Sequence, residues 1–136
     1  MLVAPSHGRR LEAKTIILAW KDTREARRAL SDSLPYLHTA ERVVVLAVAN
    51  GDDAESAGQE VDDVVTALKR RGVKAEAKVR AERHPNGFHV IEEANAAQAD
   101  LIVAGAYGHS RLGEWIFGGV TADLLSQDTL HLLLSH

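Results

Sequence analysis

The 136-residue sequence predicts an α/β fold: a doubly wound, five-stranded parallel sheet in the order 3-2-1-4-5, with helices on both faces. Three observations carry this expectation. Uninterrupted apolar runs, Thr15-Ile-Ile-Leu-Ala-Trp20, Val43-Val-Val-Leu-Ala-Val48 and Leu101-Ile-Val-Ala104, read as strands buried on both faces, as in a parallel sheet covered by helices on two sides. Segments of helical period alternate with the strands, and the order βαβαβαβαβ with right-handed crossovers closes into one sandwich. Finally, Val73-Lys-Ala-Glu-Ala-Lys-Val-Arg-Ala81 alternates small apolar residues with charges, which suits a strand with one wet face and places it at a rim.

Taken in chain order, the first strand is followed by a helix over about 24–37, with Asp22 or Thr23 as N-cap and Ala26, Ala29, Leu30, Leu34 and Leu37 on its inner face. The second helix spans about 57–71. Val61, Val64 and Leu68 form its stripe; Glu60, Asp62 and Asp63 lie early, Lys69, Arg70 and Arg71 late, and Gly72 stops it. Acid first and base last complements the helix dipole. A third helix follows the turn His84-Pro-Asn-Gly87 and carries Ile91 and Ala94 inward; a fourth starts near Gly118 and uses Val120, Leu124 and Leu125. Leu130-His-Leu-Leu-Leu134 is the last strand. Residues 1–13 read as an N-terminal extension or the remnant of a linker, and 14–136 as the domain.

Composition narrows the function. A net charge of −3 and a pI of about 6.1 leave no electrostatic footprint for nucleic acid or an anionic membrane. With no cysteine there is no disulfide, iron–sulfur cluster or thiolate zinc site, which fits a reducing compartment. No apolar run approaches the ~20 residues needed to span a bilayer. Met1-Leu-Val-Ala-Pro5 is too short for a signal peptide. A cytoplasmic protein is expected.

In such sheets ligands bind outside the carboxyl ends of the strands where strand order reverses. That point lies between the first and fourth strands, where Trp20 to Thr23 meets Gly105-Ala-Tyr-Gly108-His-Ser-Arg-Leu-Gly113-Glu-Trp-Ile-Phe-Gly118-Gly119-Val-Thr121. Glycines at a strand's carboxyl end let backbone N–H groups approach a ligand closely, and a helix N-terminus beyond adds donors that suit phosphate. A P-loop is excluded because Gly119-Val120 stands where Lys and Ser/Thr are required. A dinucleotide fingerprint is excluded because no GxGxxG follows the first strand. A phosphate-receiver domain needs an Asp ending the third strand, and that strand ends Arg80-Ala-Glu82.

The spacing that remains, G-x2-G-x9-G over Gly105, Gly108 and Gly118, resembles the universal stress protein family, together with Ala99-Asp-Leu-Ile-Val-Ala-Gly105 and the closing Leu-Leu-Leu-Ser135-His136. Trp20-Lys-Asp-Thr-Arg-Glu-Ala-Arg-Arg-Ala29 and Gly105-Ala-Tyr-Gly-His-Ser-Arg111 look most like the second domain of tandem members, in which Met1 to Pro5 corresponds to the end of a preceding domain's last strand. The resemblance implies an adenine-nucleotide alpha-hydrolase-like fold and a stress-response regulatory module that binds ATP, with magnesium, rather than an enzyme. It implies contacts from Gly105, Tyr107, Gly108, His109, Gly118, Gly119, Val120, Trp20, Lys21, Asp22 and Val48. This chain departs from the family at two places. Lys21 holds the position of an Asp that contacts adenosine, with Asp22 where a small residue is usual, and Gly119 replaces a Ser or Thr. Two other readings stand beside it: the same family without nucleotide, acting as a protein–protein interaction module, and a weak ATP hydrolase, for which the glycine segment offers no general base.

Other side chains near the crevice have plainer readings. Trp20, Tyr107, Trp115 and Phe117 map near the crevice and read either as a base-stacking or lid surface or, for Trp115, Ile116 and Phe117, as packing of the loop onto the domain; packing is the favoured expectation, since large apolar residues are seldom left exposed. His109 and Ser110 are polar contacts rather than a nucleophile pair. The histidines at 7, 38, 84, 89, 131 and 136 lack metal-ligand spacing. The last strand, apolar on both faces at Leu130 to Leu134 yet at a sheet edge, is expected to pair with its copy in a homodimer or with a tandem domain.

Overall fold

A computed structural model describes residues 2–3, 10–83, 87–105 and 130–135. Tyr107, Gly108, His109, Gly118, Gly119, Val120 and the fourth predicted helix lie outside the described residues. Nine elements are described: β1 (Leu2–Val3), β2 (Thr15–Ala19), α1 (Arg24–Thr39), β3 (Arg42–Val48), α2 (Asp53–Arg70), β4 (Ala75–Arg80), α3 (Gly87–Ala97), β5 (Leu101–Gly105) and β6 (His131–Ser135).

The strands form one sheet in the order β1-β6-β5-β2-β3-β4. Its five parallel members, β4-β3-β2-β5-β6, are the predicted order 3-2-1-4-5. The period of two then divides the side chains between two cores. Ile16, Leu18 and Trp20, with Val43, Val45, Leu101 and Val103, pack against Ala26, Ala29 and Leu37 of α1 and Val61, Val65 and Leu68 of α2. Ile17, Ala19, Val44, Leu46, Ile102 and Ala104 pack on the opposite face against Val90 and Ala94 of α3. Burial on both faces is why these runs show no polar alternation. β4 lies at the rim as expected, but its burial does not alternate: Ala75 is buried, Glu76 to Lys78 are exposed, and Val79 and Arg80 are half-buried.

Side-chain and backbone bonds fix where the elements begin and end. Thr23, not Asp22, caps α1: its backbone is extended (φ −131°, ψ 160°) and its Oγ1 accepts the Ala26 N–H at 3.1 Å. Asp22 instead accepts from Arg27 Nη1 at 2.5 Å on the surface. At the end of α2, Gly72 takes φ 84°, Val73 N–H reaches Leu68 O at 3.0 Å, and Gly72 N–H reaches Lys69 O at 3.0 Å. That double bond is the Schellman arrangement. The start of α2 lies four residues before its expected position, where Asp53 N–H bonds Asn50 O at 3.0 Å and acidic Asp53 and Glu55 occupy the first turn. At the opposite rim from the crevice, Asp100 ties three strands. Its carboxylate accepts the N–H groups of Lys14 and Thr15, each at 3.0 Å, while its carbonyl accepts His131 N–H at 2.8 Å.

The sixth strand lies in the segment that the resemblance to tandem members likens to the end of a preceding domain's last strand. Leu2–Val3 lies antiparallel on β6, with Leu2 opposite Leu133 and Val3 opposite Leu132. The edge that the sequence reading gives to a second copy or a tandem domain therefore carries, among the described residues, Leu2 and Val3.

Candidate functional site

Strand order reverses at β2, which has β3 on one side and β5 on the other. The register Leu18↔Val103 brings the carboxyl ends of β2 and β5 to the same rim, so Trp20 and Gly105 stand level, with Val48 close by at the end of β3. The crevice is where the topology rule requires one. Trp20 N–H donates to Leu46 O at 2.7 Å, which carries the β2–β3 ladder one step beyond the strand. The Trp20 side chain is buried in the core beneath α1 and α2, and its Nε1 has no hydrogen-bond partner among the described residues.

Gly105 meets a more local demand than ligand approach. A Cβ built on it would fall 2.8 Å from both the carbonyl carbon and the Cβ of Glu25, and 2.9 Å from the Ala26 nitrogen. Only glycine lets the first turn of α1 lie this close to the end of β5.

Charge at the same rim is mixed. Between Lys21 and Arg27 the chain carries three cations, Lys21, Arg24 and Arg27, against two carboxylates, Asp22 and Glu25. Arg27 is held by Asp22, and Arg24 lies 3.8 Å from Glu25. Lys21 is exposed and forms no ion pair among the described residues. An unpaired ammonium beside the N-terminus of α1 fits a phosphate. Glu25, also in that first turn, opposes one. The described residues thus fit a single anionic group at Lys21; the glycine segment beyond Gly105 lies outside them.

A second polar network borders the rim and was missed in the sequence. The connection leaving β4 is held from two sides. Asn50 Oδ1 accepts Glu82 N–H at 2.8 Å, and His89 Nε2 accepts Arg83 N–H at 2.9 Å. Because Nε2 accepts, the His89 proton sits on Nδ1, which faces Glu92 Oε1 at 3.4 Å. Arg80 reaches Glu92 at 3.3 Å, the His89 carbonyl at 3.3 Å and Glu93 at 3.6 Å; Lys78 reaches Glu93 at 2.8 Å. The alternating charges of β4 were the visible half of this network. The partners of Lys78 and Arg80 lie on α3, whose placement the periodicity does not specify, while Glu76 pairs with Arg42 of β3. Among the described residues no group of three or more His, Asp or Glu is arranged to hold a metal ion, and no helix is long and apolar enough to cross a membrane.

Similar proteins agree with this architecture. A universal stress protein family protein from Burkholderia pseudomallei superposes with a TM-score of 0.65 at 21% identity, over 90% of this chain and 95% of that one. A universal stress protein from Archaeoglobus fulgidus in complex with dAMP gives 0.65 at 18% identity, over 90% and 97%. A family member from Arabidopsis thaliana with AMP bound gives 0.62 at 15% identity, over 90% and 92%. At these identities the likeness is one of fold. No curated protein matches the chain. Residues 12–130, nearly the whole length, match the sequence profile of the Universal stress protein family, and the chain belongs to that family.

Proposed function

We propose that this protein is a nucleotide-binding regulatory module of the stress response, which takes an adenine nucleotide at the crevice between the carboxyl ends of β2 and β5. The observation that carries the reading is the reversal of strand order there, with Lys21 exposed and without an ion pair among the described residues just before α1. The dAMP and AMP held by the two relatives above support the ligand class. On this reading the backbone of Gly105, Gly108, Gly118 and Gly119 cradles the phosphates, Tyr107, His109 and Val120 flank them, and Val48 borders the base. Lys21, in place of the family's Asp, neutralises phosphate charge rather than contacting adenosine. ATP with magnesium is the fuller form of the ligand.

A second reading keeps the fold without the ligand, as a protein–protein interaction module. It is favoured by Gly105, whose packing against Glu25 and Ala26 accounts for the glycine without any nucleotide.

Titration calorimetry separates the two. Binding of ATP–Mg²⁺ or AMP in the micromolar range is expected, weakened about tenfold in Lys21→Glu, since a charge-assisted contact contributes more than ~1.4 kcal/mol. Absence of heat with ATP, AMP and cAMP alike overturns nucleotide binding in favour of the interaction module. Equal affinity in Lys21→Glu removes Lys21 from the phosphate site.

A further inference from the structure

We propose that His89 is a proton-released latch: gain of a second proton by its ring breaks the bond that ties the chain leaving β4 to the start of α3. The ring is 2% exposed, among the most deeply buried large side chains of the described residues, and the nucleotide reading makes no use of it. Its Nε2 accepts Arg83 N–H at 2.9 Å. A backbone N–H is a permanent donor, so this bond exists only while Nε2 carries no proton. A doubly protonated ring sets two donors head to head, and the bond is lost rather than weakened.

The charges around the ring decide what the proton meets. On α3 itself, Glu92 Oε1 lies 3.4 Å from Nδ1 and offers the imidazolium an ion pair. Arg80 of β4 opposes it: the guanidinium reaches the His89 carbonyl at 3.3 Å, Glu92 at 3.3 Å and Glu93 at 3.6 Å. Lys78 of the same strand holds Glu93 at 2.8 Å. On the connection stand Glu82 and Arg83. β2 and β3 meet α3 through Ile17, Ala19, Val44 and Leu46, which carry no charge. Two carboxylates are thus already shared by two cations. A third cation on the ring can keep its contact with Glu92, but it cannot keep the Arg83 N–H.

A neighbouring bond makes the release local. Glu82 N–H donates to Asn50 Oδ1 at 2.8 Å, and a carboxamide does not titrate. Acid therefore frees Arg83 and leaves Glu82 held beside the end of β3. The sign follows from proton counts. The closed arrangement holds one proton on the ring and the released one holds two, so the closed form is favoured at high pH. The released population grows by up to about tenfold per pH unit as the ring titrates. This latch is independent of the nucleotide reading and acts whether or not the crevice holds a ligand.

The test is solvent-exchange NMR on the full chain from about pH 8 to about pH 5, where imidazole titrates and carboxylates stay charged. Protection of the Arg83 and Glu82 amides is taken relative to an unstructured amide at the same pH, and the His89 ring is followed through its carbon-bound protons. Arg83 protection is expected to fall about tenfold or more with the midpoint of the His89 signal, while Glu82 keeps its own. In His89→Gln the carboxamide oxygen takes the place of Nε2 and cannot titrate, so Arg83 protection is expected to stay level across the range. A ring that titrates without change at Arg83, a ring that does not titrate, or equal losses at Arg83 and Glu82 each overturn the latch. So does a loss at Arg83 in His89→Gln as large as in the unaltered chain. The comparison of Arg83, Glu82 and the ring within the unaltered chain decides the matter even where the variant does not fold.

Discussion

At the scale of single residues, the two helix ends that close with a Schellman arrangement make an instructive pair. α2 ends on Gly72 at φ 84°, and glycine adopts that conformation without strain. α3 ends in the same way on Gln98 at φ 53°, with Ala99 N–H bonding Ala94 O at 2.8 Å and Gln98 N–H bonding Asn95 O at 3.2 Å. A side chain in the left-handed region costs roughly 1–2 kcal/mol, partly recovered because glycine loses more entropy on folding. Gln98 is exposed, so little contact is lost with its side chain. Gln98→Gly is therefore expected to stabilise the protein by about 0.5–1 kcal/mol, read as a higher urea midpoint at unchanged slope. A lower midpoint would show that the glutamine side chain contributes more than its backbone costs. The same pair marks what a sequence discloses. The glycine announced one helix end; the glutamine gave no signal, because its conformation is imposed by the helix and strand it joins. Likewise Asp22 and Thr23 are both good caps on paper, and only the pairing of Asp22 with Arg27 decides between them.

At the scale of elements, β4 and α3 pack through charge rather than through an apolar seam. Glu93 is almost wholly buried, with its carboxylate 2.8 Å from Lys78 and 3.6 Å from Arg80, while both cations keep part of their surface in water. The strand's rim position was legible from charge on every second residue, but the expected wet face was not met, because α3 sets Glu92 and Glu93 against Lys78 and Arg80. The buried acid was not legible, since Glu92 and Glu93 look alike in a helix whose orientation is unknown. Removing Glu93 leaves Lys78 and Arg80 without the buried carboxylate they share. Glu93→Ala is expected to cost about 1–3 kcal/mol in chemical denaturation, the smaller end applying if Lys78 swings fully into solvent. A double-mutant cycle with Lys78→Ala is expected to return a coupling of about 1 kcal/mol. A cost under about 0.5 kcal/mol for Glu93→Ala would mean that the pair is solvated like any surface bridge.

At the scale of the whole molecule, the sheet was legible because every central strand is apolar on both faces and the one charged strand had to lie at a rim. The crevice followed from that order. The departures at Lys21 and Gly119 could be read, but not the crowding at Gly105, which depends on how closely α1 approaches β5. Periodicity could not place β1, since two apolar residues carry none; only the resemblance to tandem members pointed to a strand there. This organisation has a measurable consequence. Residues Ile16 to Leu18, Val43 to Leu46 and Leu101 to Val103 are the most deeply buried stretches, at most about 1% exposed, and each lies between two neighbouring strands. Their amides have no route to solvent short of breaking both cores at once, so their hydrogen exchange is expected to report the global unfolding free energy. β4 has one neighbour and an exposed middle, and is expected to exchange through smaller openings. Leu2 and Val3, paired among the described residues with β6 alone, are expected to exchange fastest of the described strands. Protection of β1 equal to that of β5 would show an edge closed as firmly as the interior.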